Sequence, residues 1–439
     1  MTSHKPVGHD TAAASGSDLI AELEARGLLK QATPHFADAV RTGPQTAYVG
    51  FDPTGASLHV GSLVPVLTLA RLQRAGHHPI ALVGGGTGLI GDPSGKAGER
   101  TMLAPEQVAA HVASLRAQLE RFLDFDGPRP AQVLDNSEWL SQVGLLDFLR
   151  DVGKHFTVNQ MVVRDSVRPR LEDPDRSISF TEFTYMLLQA YDYLVLHDRH
   201  GCSVQLGASD QWGNIVSGCD LIRRRRETTV HGFTHPLVTK ADGTKFGKTE
   251  QGAVWLDATL TPGYEFYQFW RNTPDDVVGQ YLRYFTFLPL AKIAEIERAQ
   301  QENPQAREAQ RVLAAEVTEL VHGAEVRQRA EHTTAVLFGP DWRELSAIEL
   351  EEAFAHSPRT QLARDALGTD AAKLVVVVAD TELAKSRGQA RQAIRDGAIS
   401  VNNEKRTDPE AVLSTEDLLA GRFLVLRRGK KTYHVVEVP

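Results

Sequence analysis

Short apolar runs alternate with helical sequence in the first half of the chain. Residues 48–51 form one run, which ends at Asp52-Pro53, and residues 79–83 form a second, which ends at three successive glycines. Between them, residues 58–75 repeat apolar side chains with the period of a helix. This strand, helix, strand order predicts a parallel, doubly wound α/β sheet, whose ligands bind beyond the carboxyl ends of its strands. Further strands are predicted at 132–134 and 203–206, and helices near 105–123, 140–152 and 180–194.

The pattern changes twice further along the chain. Residues 262–355 are almost wholly helical in period, which predicts a helical second domain. In the tail, Ser386 and Gln389 form a predicted capping box before a helix, and strands are predicted at 399–402, 423–427 and 432–436, so the tail is a small α+β module. The predicted organisation is a flexible leader at 1–17, a Rossmann-like α/β domain at 18–260, a helical domain at 261–356, a linker at 357–371 and the α+β module at 372–439.

Composition excludes several classes of protein. Of 439 residues, 42% are hydrophobic and 24% charged, which is typical of a globular protein and not of a disordered or fibrous one. We find neither an apolar run long enough to span a bilayer nor a signal-peptide pattern near Met1, so we expect a cytosolic protein with no membrane partner. Two cysteines, Cys202 and Cys219, are too few for a disulfide framework or a Cys-based zinc site.

Charge is unevenly distributed. The net charge is −8, yet residues 381–439 contain eleven Lys/Arg and eight Asp/Glu, so this tail carries +3 and the rest of the chain −11. A basic module on an acidic body predicts one polyanionic partner, bound at one end of the molecule.

The glycine-rich segment 86–91 satisfies the pattern G-x-G-x-x-G, but its context argues against a dinucleotide site. The segment continues into Asp92-Pro93, which favours a loop, and no strand ending in Asp or Glu follows at the required spacing. It is not a P-loop either, because three residues instead of four separate Gly91 from Gly95. We interpret it as a glycine-rich turn that can accept an anion.

A second pair of segments is more specific. His59 opens the first predicted helix, where backbone N–H groups and the helix dipole favour an anion, and Gly61 leaves room for a base to approach. Far downstream, the loop 241–249 supplies Lys245 and Lys248, which can neutralise phosphate charge. Each element alone would also fit a helix-capping histidine or a solvated loop.

Together and in this order, His59-Val60-Gly61-Ser62 and Lys245-Phe246-Gly247-Lys248-Thr249 resemble the HIGH and KMSKS signatures of class I aminoacyl-tRNA synthetases. Four further segments, together with the lysine loop, resemble the bacterial tyrosyl-tRNA synthetase family, and the resemblance covers about residues 18–439. These segments are 48–54, 84–96, 178–183 and 209–214. The segment 386–391 is similar to the small RNA-binding domain shared with ribosomal protein S-four. The resemblance implies a catalytic domain at 18–260, an anticodon-arm domain at 261–356 and an RNA-binding domain at 372–439.

The predicted helix 180–194 independently favours a polar ligand. Tyr185, Gln189 and Asp192 are spaced four and then three residues apart, so their tips lie on one helix face. The neighbouring residues are apolar all round, which indicates a buried helix on which an unpaired carboxylate would be costly. A solvated helix face is the alternative. The resemblance implies that Asp192 and Tyr48 hold a phenol, that Tyr185, Gln189 and Asp92 surround an α-ammonium, and that Gln211 lies near the carboxylate.

The resemblance also implies a two-step reaction. The tyrosine carboxylate would attack the α-phosphorus of ATP, and the resulting adenylate would acylate a terminal ribose hydroxyl of tRNA(Tyr). Thr54 and His59 would contact the γ-phosphate, and the residues that close over the pyrophosphate or add positive charge would be Lys245, Lys248, Thr249, Lys96 and Arg100. The ATP-binding set would be Gly50, Asp52, His59, Gly61, Ser62, Asp210 and Lys248. Mg²⁺ would arrive with ATP, with no tightly bound protein metal site.

The expected partners are tRNA, L-tyrosine, ATP and a second copy of the chain. The resemblance implies a homodimer that tRNA bridges. The residues expected to bind tRNA are Lys385, Arg387, Arg391 and Arg395. The run Arg223–Arg226 could also touch tRNA, although a solvated helix end is the simpler interpretation.

Two departures from the family pattern limit the transfer of roles. Ser62 replaces the second histidine of HIGH, so its contact near the ribose must be weaker, water-mediated or replaced. The usual Val-Asn-Gly turn of the tail is Val401-Asn402-Asn403, and because asparagine tolerates positive φ, we expect the turn to persist.

Other functions remain open from sequence alone. A tryptophanyl-tRNA synthetase or a related nucleotidyltransferase is one alternative, although Asp192 opposite Tyr48 favours a phenol over an indole. An RNA-binding or splicing factor that has lost catalysis is another, although such a factor has no need of His59, Lys245 or Lys248.

Overall fold

The computed structural model describes residues 16–94, 103–164, 167–173, 177–238, 246–249, 252–429 and 432–439, with only the backbone of 16–18 and 248–249. Its α-helices are α1 (Gly16–Ala25), α2 (Phe36–Thr42), α3 (Leu63–Arg74), α4 (Pro105–Leu119), α5 (Ser137–Leu140), α6 (Leu145–Asp151), α7 (Val158–Val162), α8 (Arg168–Glu172), α9 (Phe180–His200), α10 (Trp212–Arg226), α11 (Gly263–Arg271), α12 (Val278–Phe285), α13 (Leu290–Glu302), α14 (Glu308–His322), α15 (Ala324–Phe338), α16 (Ala347–Ala353), α17 (Leu374–Ala379) and α18 (Arg387–Arg395). Its strands are β1 (Gln31–Ala32), β2 (Thr46–Phe51), β3 (His78–Val83), β4 (Gln132–Asp135), β5 (Cys202–Ala208), β6 (His231–His235), β7 (Lys248–Thr249), β8 (Gly252–Ala253), β9 (Arg359–Gln361), β10 (Ile399–Val401), β11 (Glu404–Lys405), β12 (Phe423–Arg428) and β13 (Thr432–Glu437).

The first sheet has the order β1-β6-β5-β2-β3-β4. Strands β2 to β6 run parallel, and β1 pairs antiparallel with β6 at the edge. The chain leaves β2 towards β3 and β4 on one side and later builds β5 and β6 on the other, so the topology switches between β2 and β5. Ligand crevices lie at such a switch point, beyond the carboxyl ends of the strands. The prediction of a doubly wound parallel sheet is confirmed.

Several predicted helices differ in detail from the structure. The predicted helix 58–75 begins with a 3-10 turn, Val60–Ser62, before α3 starts at Leu63. The predicted helix 140–152 is wrong as a single element, because α5 ends at Leu140 and α6 starts only after Gly144, which has extended backbone angles. Helix α9 is longer than predicted and ends where Gly201 adopts a φ of 62°.

The chain forms two compact units, residues 1–260 with 273–313 and residues 261–272 with 314–439. These units cut across the predicted helical domain 261–356, since α12 and α13 lie in the first unit and α15 and α16 in the second. Within the predicted linker 357–371, residues 359–361 form β9, which pairs in parallel with β13. The predicted domain boundaries stay predictions.

The second unit contains the sheet β11-β10-β12-β13-β9. Trp342 and Phe354, near α15 and α16, pack with Phe423 and Val435 of this sheet in one buried cluster. The α+β module therefore shares a core with helices that precede it. A second buried cluster joins α17, α18 and the same sheet.

Local features of the tail follow the sequence with one change. Ser386 caps α18 by accepting a hydrogen bond from the N–H of Gln389, as predicted. The second bond of the predicted capping box, from the N–H of Ser386 to the Gln389 side chain, is wrong. The Gln389 side chain accepts instead from the N–H of Lys385. Asn402 and Asn403 adopt φ values of 50° and 69°, so the turn is present.

The leader predicted at 1–17 lies outside the described residues up to residue 15, and Gly16 already belongs to α1. Within the described ranges, each helix is too short or too polar to cross a membrane. The cytosolic location stays a prediction.

Candidate active site

A cavity of about 390 Å³ opens at the switch point of the first sheet. Its wall is built from the carboxyl ends of β2 and β5, the start of the Val60–Ser62 turn, and one face of α9. Thirteen of the residues singled out in the sequence line it: Tyr48, Gly50, Asp52, Thr54, His59, Gly61, Ser62, Asp92, Tyr185, Gln189, Asp192, Asp210 and Gln211.

The other predicted site residues lie elsewhere or are not described. Lys96, Arg100 and Lys245 lie outside the described residues, and for Lys248 and Thr249 the structure describes the backbone, which forms β7. The four residues expected to bind tRNA lie exposed in the second unit, on or just before α18. These residues are Lys385, Arg387, Arg391 and Arg395.

Asp192 is one of the buried polar groups that line the cavity. Its Oδ2 accepts a hydrogen bond of 2.9 Å from Asn136 Nδ2, and its Oδ1 accepts one of 2.7 Å from Trp139 Nε1. The side chain is 2% exposed. Burial raises the pKa of Asp192 to about 8, although the two donated hydrogen bonds oppose that rise. The carboxyl group is thus held in one orientation by two neutral donors.

Tyr48 lies on β2 beside this carboxyl. Its hydroxyl is buried and has no hydrogen-bond partner among the described residues. Burial and, after it, the charge of Asp192 raise the pKa of Tyr48 well above its usual value. A buried hydroxyl left without a partner is costly, so this position favours a ligand that supplies one.

A chain of hydrogen bonds connects the deep end of the cavity to its mouth. Asn136 also donates to the Thr87 hydroxyl at 3.0 Å, and Thr87 donates to Asp52 Oδ1 at 2.9 Å. The Tyr185 hydroxyl donates to Asp52 Oδ2 at 2.9 Å. Because every member is engaged, these side chains keep fixed positions before any ligand binds.

A second polar cluster lies between α9 and the end of β5. Gln211 donates to Asp92 Oδ2 at 2.7 Å, and Asn214 donates to Gln189 Oε1 at 2.9 Å and to Gln211 Oε1 at 3.2 Å. The N–H of Ser94 donates to Asp92 Oδ1 at 2.9 Å. The cluster presents one carboxylate and several amide groups to the cavity, an arrangement that suits an ammonium group next to a carboxylate.

His59 caps the Val60–Ser62 turn. Its Nδ1 accepts a hydrogen bond of 3.0 Å from the N–H of Gly61, which places the ring proton on Nε2. A Cβ on Gly61 would lie 2.7 Å from His59 Cε1, so glycine is required for the ring to fold back over the turn. His59 itself is exposed to the cavity mouth and can donate to an anion there.

The segment that carries Lys248 is bonded to the His59 segment. The N–H of Val60 donates to the carbonyl of Val254 at 3.0 Å, and the N–H of Val254 donates to the carbonyl of Gly247 at 2.7 Å. The two segments that the sequence singled out are therefore adjacent in space, although almost 190 residues separate them in the chain.

Sequence reasoning missed Asn136, Trp139, Thr87 and Asn214. Asn136 directly follows β4, so its place at the carboxyl end of a parallel strand was a usable signal. Asn214 lies in the segment 209–214 but was given no role, and Trp139 is a helical residue outside the segments singled out, so its role depends on which helix packs beside α9.

The run Arg223–Arg226 is engaged within the protein. Arg223 pairs with Asp220 at 3.1 Å, Arg226 forms a two-pronged pair with Asp198, and Arg225 donates to the carbonyl of Asp151 at 3.0 Å. These contacts support the interpretation of the run as a structural helix end.

The fold and the cavity define a class I tRNA synthetase, and comparison with known families agrees. The family model described as tRNA synthetases class I (W and Y) matches residues 41–339. A second model, the tyrosine--tRNA ligase SYY-like C-terminal domain, matches residues 349–436.

Comparison with individual relatives distinguishes between the tryptophan and tyrosine enzymes of this class. The chain is 53% identical to the tyrosine--tRNA ligase of Kineococcus radiotolerans and 50% identical to that of Roseiflexus castenholzii, in each case over 96% of this chain and 99% of the relative. A crystal structure of a C-terminally truncated mitochondrial tyrosyl-tRNA synthetase from Aspergillus nidulans superposes with a TM-score of 0.66 at 32% identity, covering 73% of this chain and 94% of that one. The chain therefore belongs to the tyrosine--tRNA ligase family.

Proposed function

We propose that this chain activates L-tyrosine with ATP and then transfers the tyrosyl group to the terminal ribose of tRNA(Tyr). The observation that carries the choice of amino acid is the buried pair of Asp192 and Tyr48 in the lining of the cavity. Membership of the family supports the adenylation chemistry.

The deep pair explains how a phenol would be selected. Each oxygen of Asp192 accepts one hydrogen bond from the protein and keeps capacity for another, and the Tyr48 hydroxyl has no partner among the described residues. A phenolic hydroxyl satisfies both groups, whereas phenylalanine would leave both unpaired. The discrimination established for tyrosyl-tRNA synthetases is roughly 10⁵-fold.

The first step needs positioning and charge stabilisation more than proton transfer. The ionised carboxylate of tyrosine attacks the α-phosphorus, an oxygen–phosphorus bond forms, and pyrophosphate leaves with the bridging oxygen. Gln211, Gln189 and Asp92 would orient the amino acid, and Asp210, at the end of β5, would hold the ribose. Interactions that form only in the transition state raise the rate most.

Cationic and donor groups would act on the phosphates. His59 would donate from Nε2 to the γ-phosphate beside Thr54, and Lys248 and Thr249 would follow the leaving pyrophosphate. Lys245, Lys96 and Arg100 would add positive charge. Mg²⁺ would enter as the counter-ion of ATP and is part of that substrate.

In the second step a terminal ribose hydroxyl of tRNA attacks the adenylate carbonyl, and AMP leaves. The exposed cations Lys385, Arg387, Arg391 and Arg395 would bind the tRNA backbone.

We further propose a homodimer that buries the exposed apolar side chains between α6 and the start of α9. Leu145 and Leu146, for example, are 72% and 80% exposed, and exposed large apolar groups favour a partner surface. The exposed apolar residues of this stretch are Leu145, Leu146, Leu149, Val158, Val163, Leu171 and Phe180.

The decisive experiment is ATP–pyrophosphate exchange with each of the twenty amino acids and no tRNA. We expect exchange with tyrosine alone, which would also establish that Ser62 is adequate in place of the second histidine of HIGH. Exchange with tryptophan would show instead that the cavity binds an indole and that the protein acts as a tryptophanyl-tRNA synthetase. A folded protein without exchange would leave an RNA-binding protein that has lost catalysis.

A further inference from the structure

Two aromatic side chains of α12 support the segment that leads into β7. The buried ring of Phe246 stacks on Phe285, with centroids 5.3 Å apart and 21° between the planes. The same ring meets Tyr281 edge-on at 5.0 Å and 69°, and Tyr281 meets Phe285 at 5.5 Å. We name Tyr281 and Phe285 the aromatic seat. Offset and edge-on contacts of this kind fix the orientation of a ring as well as burying it.

The opposite side of the same segment is fixed against the His59 turn. Gly247 has a φ of +81°, and a Cβ there would lie 2.6 Å from Val60 Cγ2. Its carbonyl accepts from the N–H of Val254, whose own carbonyl accepts from the N–H of Val60. The chain just before Lys248 is thus held between the aromatic seat and the His59 turn.

Helix α12 is in turn fixed to α3, the helix that follows the His59 turn. The buried Arg71 of α3 donates from Nη2 to the carbonyl of Thr286 at 2.5 Å, and Arg26, just after α1, donates to the carbonyl of Leu288 at 2.8 Å. Carbonyls past a helix C-terminus lack partners within the helix, and the helix dipole favours cations there. These bonds fix the chain just after the aromatic seat to the last turn of α3 and to the residue that follows α1.

We propose that Tyr281 and Phe285 are positioning residues for amino-acid activation, because they set where β7, and with it Lys248, stands relative to His59. The inference rests on the proposed function, in which His59 and Lys248 act on ATP. Phe246 is one of the described residues that line the cavity, whereas Tyr281 and Phe285 are not. The aromatic seat therefore acts through Phe246. Displacement of a charged group by about 1 Å can lower a rate by roughly 100-fold.

The test compares ring removal with ring retention on α12. Tyr281→Leu and Phe285→Leu should each lower the kcat of tyrosine-dependent pyrophosphate exchange about tenfold, with the tyrosine dissociation constant changed less than about twofold. Tyr281→Phe keeps the ring and should retain the wild-type rate. Tyr284→Leu is the control for ring removal on the same helix, because the Tyr284 hydroxyl contacts Gln280 and Gly27 and its ring meets the seat at the edge of Phe285, with centroids 6.4 Å apart. Thermal melts of every variant identify loss of folding.

A double-mutant cycle with Phe246→Leu keeps the inference testable even if Phe285→Leu fails to fold. Once the Phe246 ring is absent, Tyr281→Leu should cause no further decrease in rate, so the two effects should not add. Additive effects, an equal decrease in Tyr284→Leu, or a parallel decrease in tyrosine affinity would each overturn the positioning role. A wild-type protein without any tyrosine-dependent exchange would overturn the proposed function, and this inference with it.

Discussion

At the scale of single residues, Asp192 combines two properties that oppose each other. It is buried, which raises its pKa to about 8, and it accepts two hydrogen bonds, which favour the ionised form. Among the described residues, the partners of the Asp192 carboxyl are two neutral donors and no cation. This environment favours a neutral ligand that forms hydrogen bonds, such as a phenol.

This pKa predicts how stability depends on pH. Because the folded pKa lies above that of an unfolded aspartate, about 3.9, the folded protein binds one extra proton between these two values. The stabilisation is complete below about pH 4 and is lost as pH rises towards 8. In Asp192→Asn this dependence should disappear, so the wild-type minus variant difference in unfolding free energy should fall by roughly 1.4 kcal/mol per pH unit in that window.

Denaturant unfolding of both proteins at pH 5, 6.5 and 8 measures this difference. The absolute stability of Asp192→Asn is not the readout, since the asparagine amide will face one of the two donors. A difference that stays constant from pH 5 to 8 would contradict the raised pKa.

Lys248 should matter to the reaction and not to amino-acid binding. We expect Lys248→Ala to lower the rate of adenylate formation by about 100-fold or more, because one group that stabilises transition-state charge contributes roughly that much. Tyrosine affinity, measured by equilibrium dialysis, should stay within twofold of wild type. Equal decreases in rate and tyrosine affinity would show that Lys248 acts on the ground state or on folding.

The sequence predicted those parts of the site that depend on spacing within one element. Tyr185, Gln189 and Asp192 share one helix face by their spacing, and all three line the cavity. Asn136 and Trp139, which orient Asp192, come from a separate segment some fifty residues earlier. Their contact depends on packing between distant elements, which a local pattern does not encode.

At the scale of elements, regular strands were easier to predict than the ends and breaks of helices. Strands β2 and β3 are continuous apolar runs, typical of strands buried on both faces, and they form where expected. The break between α5 and α6 was missed because its apolar residues continue the helical period across it. The exposed Leu145 and Leu146 lie just after this break, so part of the apolar pattern marks a surface instead of a core.

The turn between β10 and β11 shows how an unusual sequence keeps a common structure. Both central residues have positive φ, as a two-residue hairpin of type I′ requires. Asn402 also accepts from the N–H of Val425 at 2.8 Å and donates to the carbonyl of Asp417 at 2.5 Å. Asn403 donates to the carbonyl of Gly339 at 3.2 Å.

We therefore expect unequal effects of substitution at these two positions. Asn402→Ala should destabilise the second unit by about 2–3 kcal/mol, because it removes two hydrogen bonds and places alanine at positive φ. Asn403→Gly should change stability by less than about 1 kcal/mol, since relief of positive φ offsets the removal of one hydrogen bond. Chemical denaturation checks both variants. Similar destabilisation at the two positions would contradict the role assigned to the Asn402 side chain.

At the scale of the whole molecule, the residues proposed to bind the small substrates and those proposed to bind tRNA belong to different compact units. The residues proposed for tyrosine and ATP lie in the first unit, and the exposed cations on and before α18 that are proposed for tRNA lie in the second. Deleting the tail after residue 371 is a poor test of this division, because it would expose Trp342 and Phe354 and leave β9 without its partner strand. Substitution of surface charges leaves that core intact.

Arg387 and Arg395 are the residues to change. They are exposed, lie eight residues apart on one face of α18, and take part in no ion pair between described residues, whereas Arg391 pairs with Glu410 at 3.0 Å. Each phosphate that a cation neutralises adds to the salt dependence of binding. Arg387→Glu with Arg395→Glu should therefore weaken tRNA binding and reduce the slope of log K against log salt by about 0.7–0.9 for each phosphate that is no longer neutralised.

The same double variant should leave tyrosine-dependent pyrophosphate exchange unchanged, because activation uses groups of the first unit alone. A matched control is Arg311→Glu with Lys292→Glu, which makes the same charge change on α14 and α13, where the native residues pair with Glu308 and Glu295. A uniform effect of net charge would weaken tRNA binding equally in both variants. Equal weakening in the two variants, or loss of pyrophosphate exchange in the α18 variant, would contradict a separate tRNA-binding face. Weaker tRNA binding in the α18 variant alone, with exchange retained, would support a tRNA-binding face on α18.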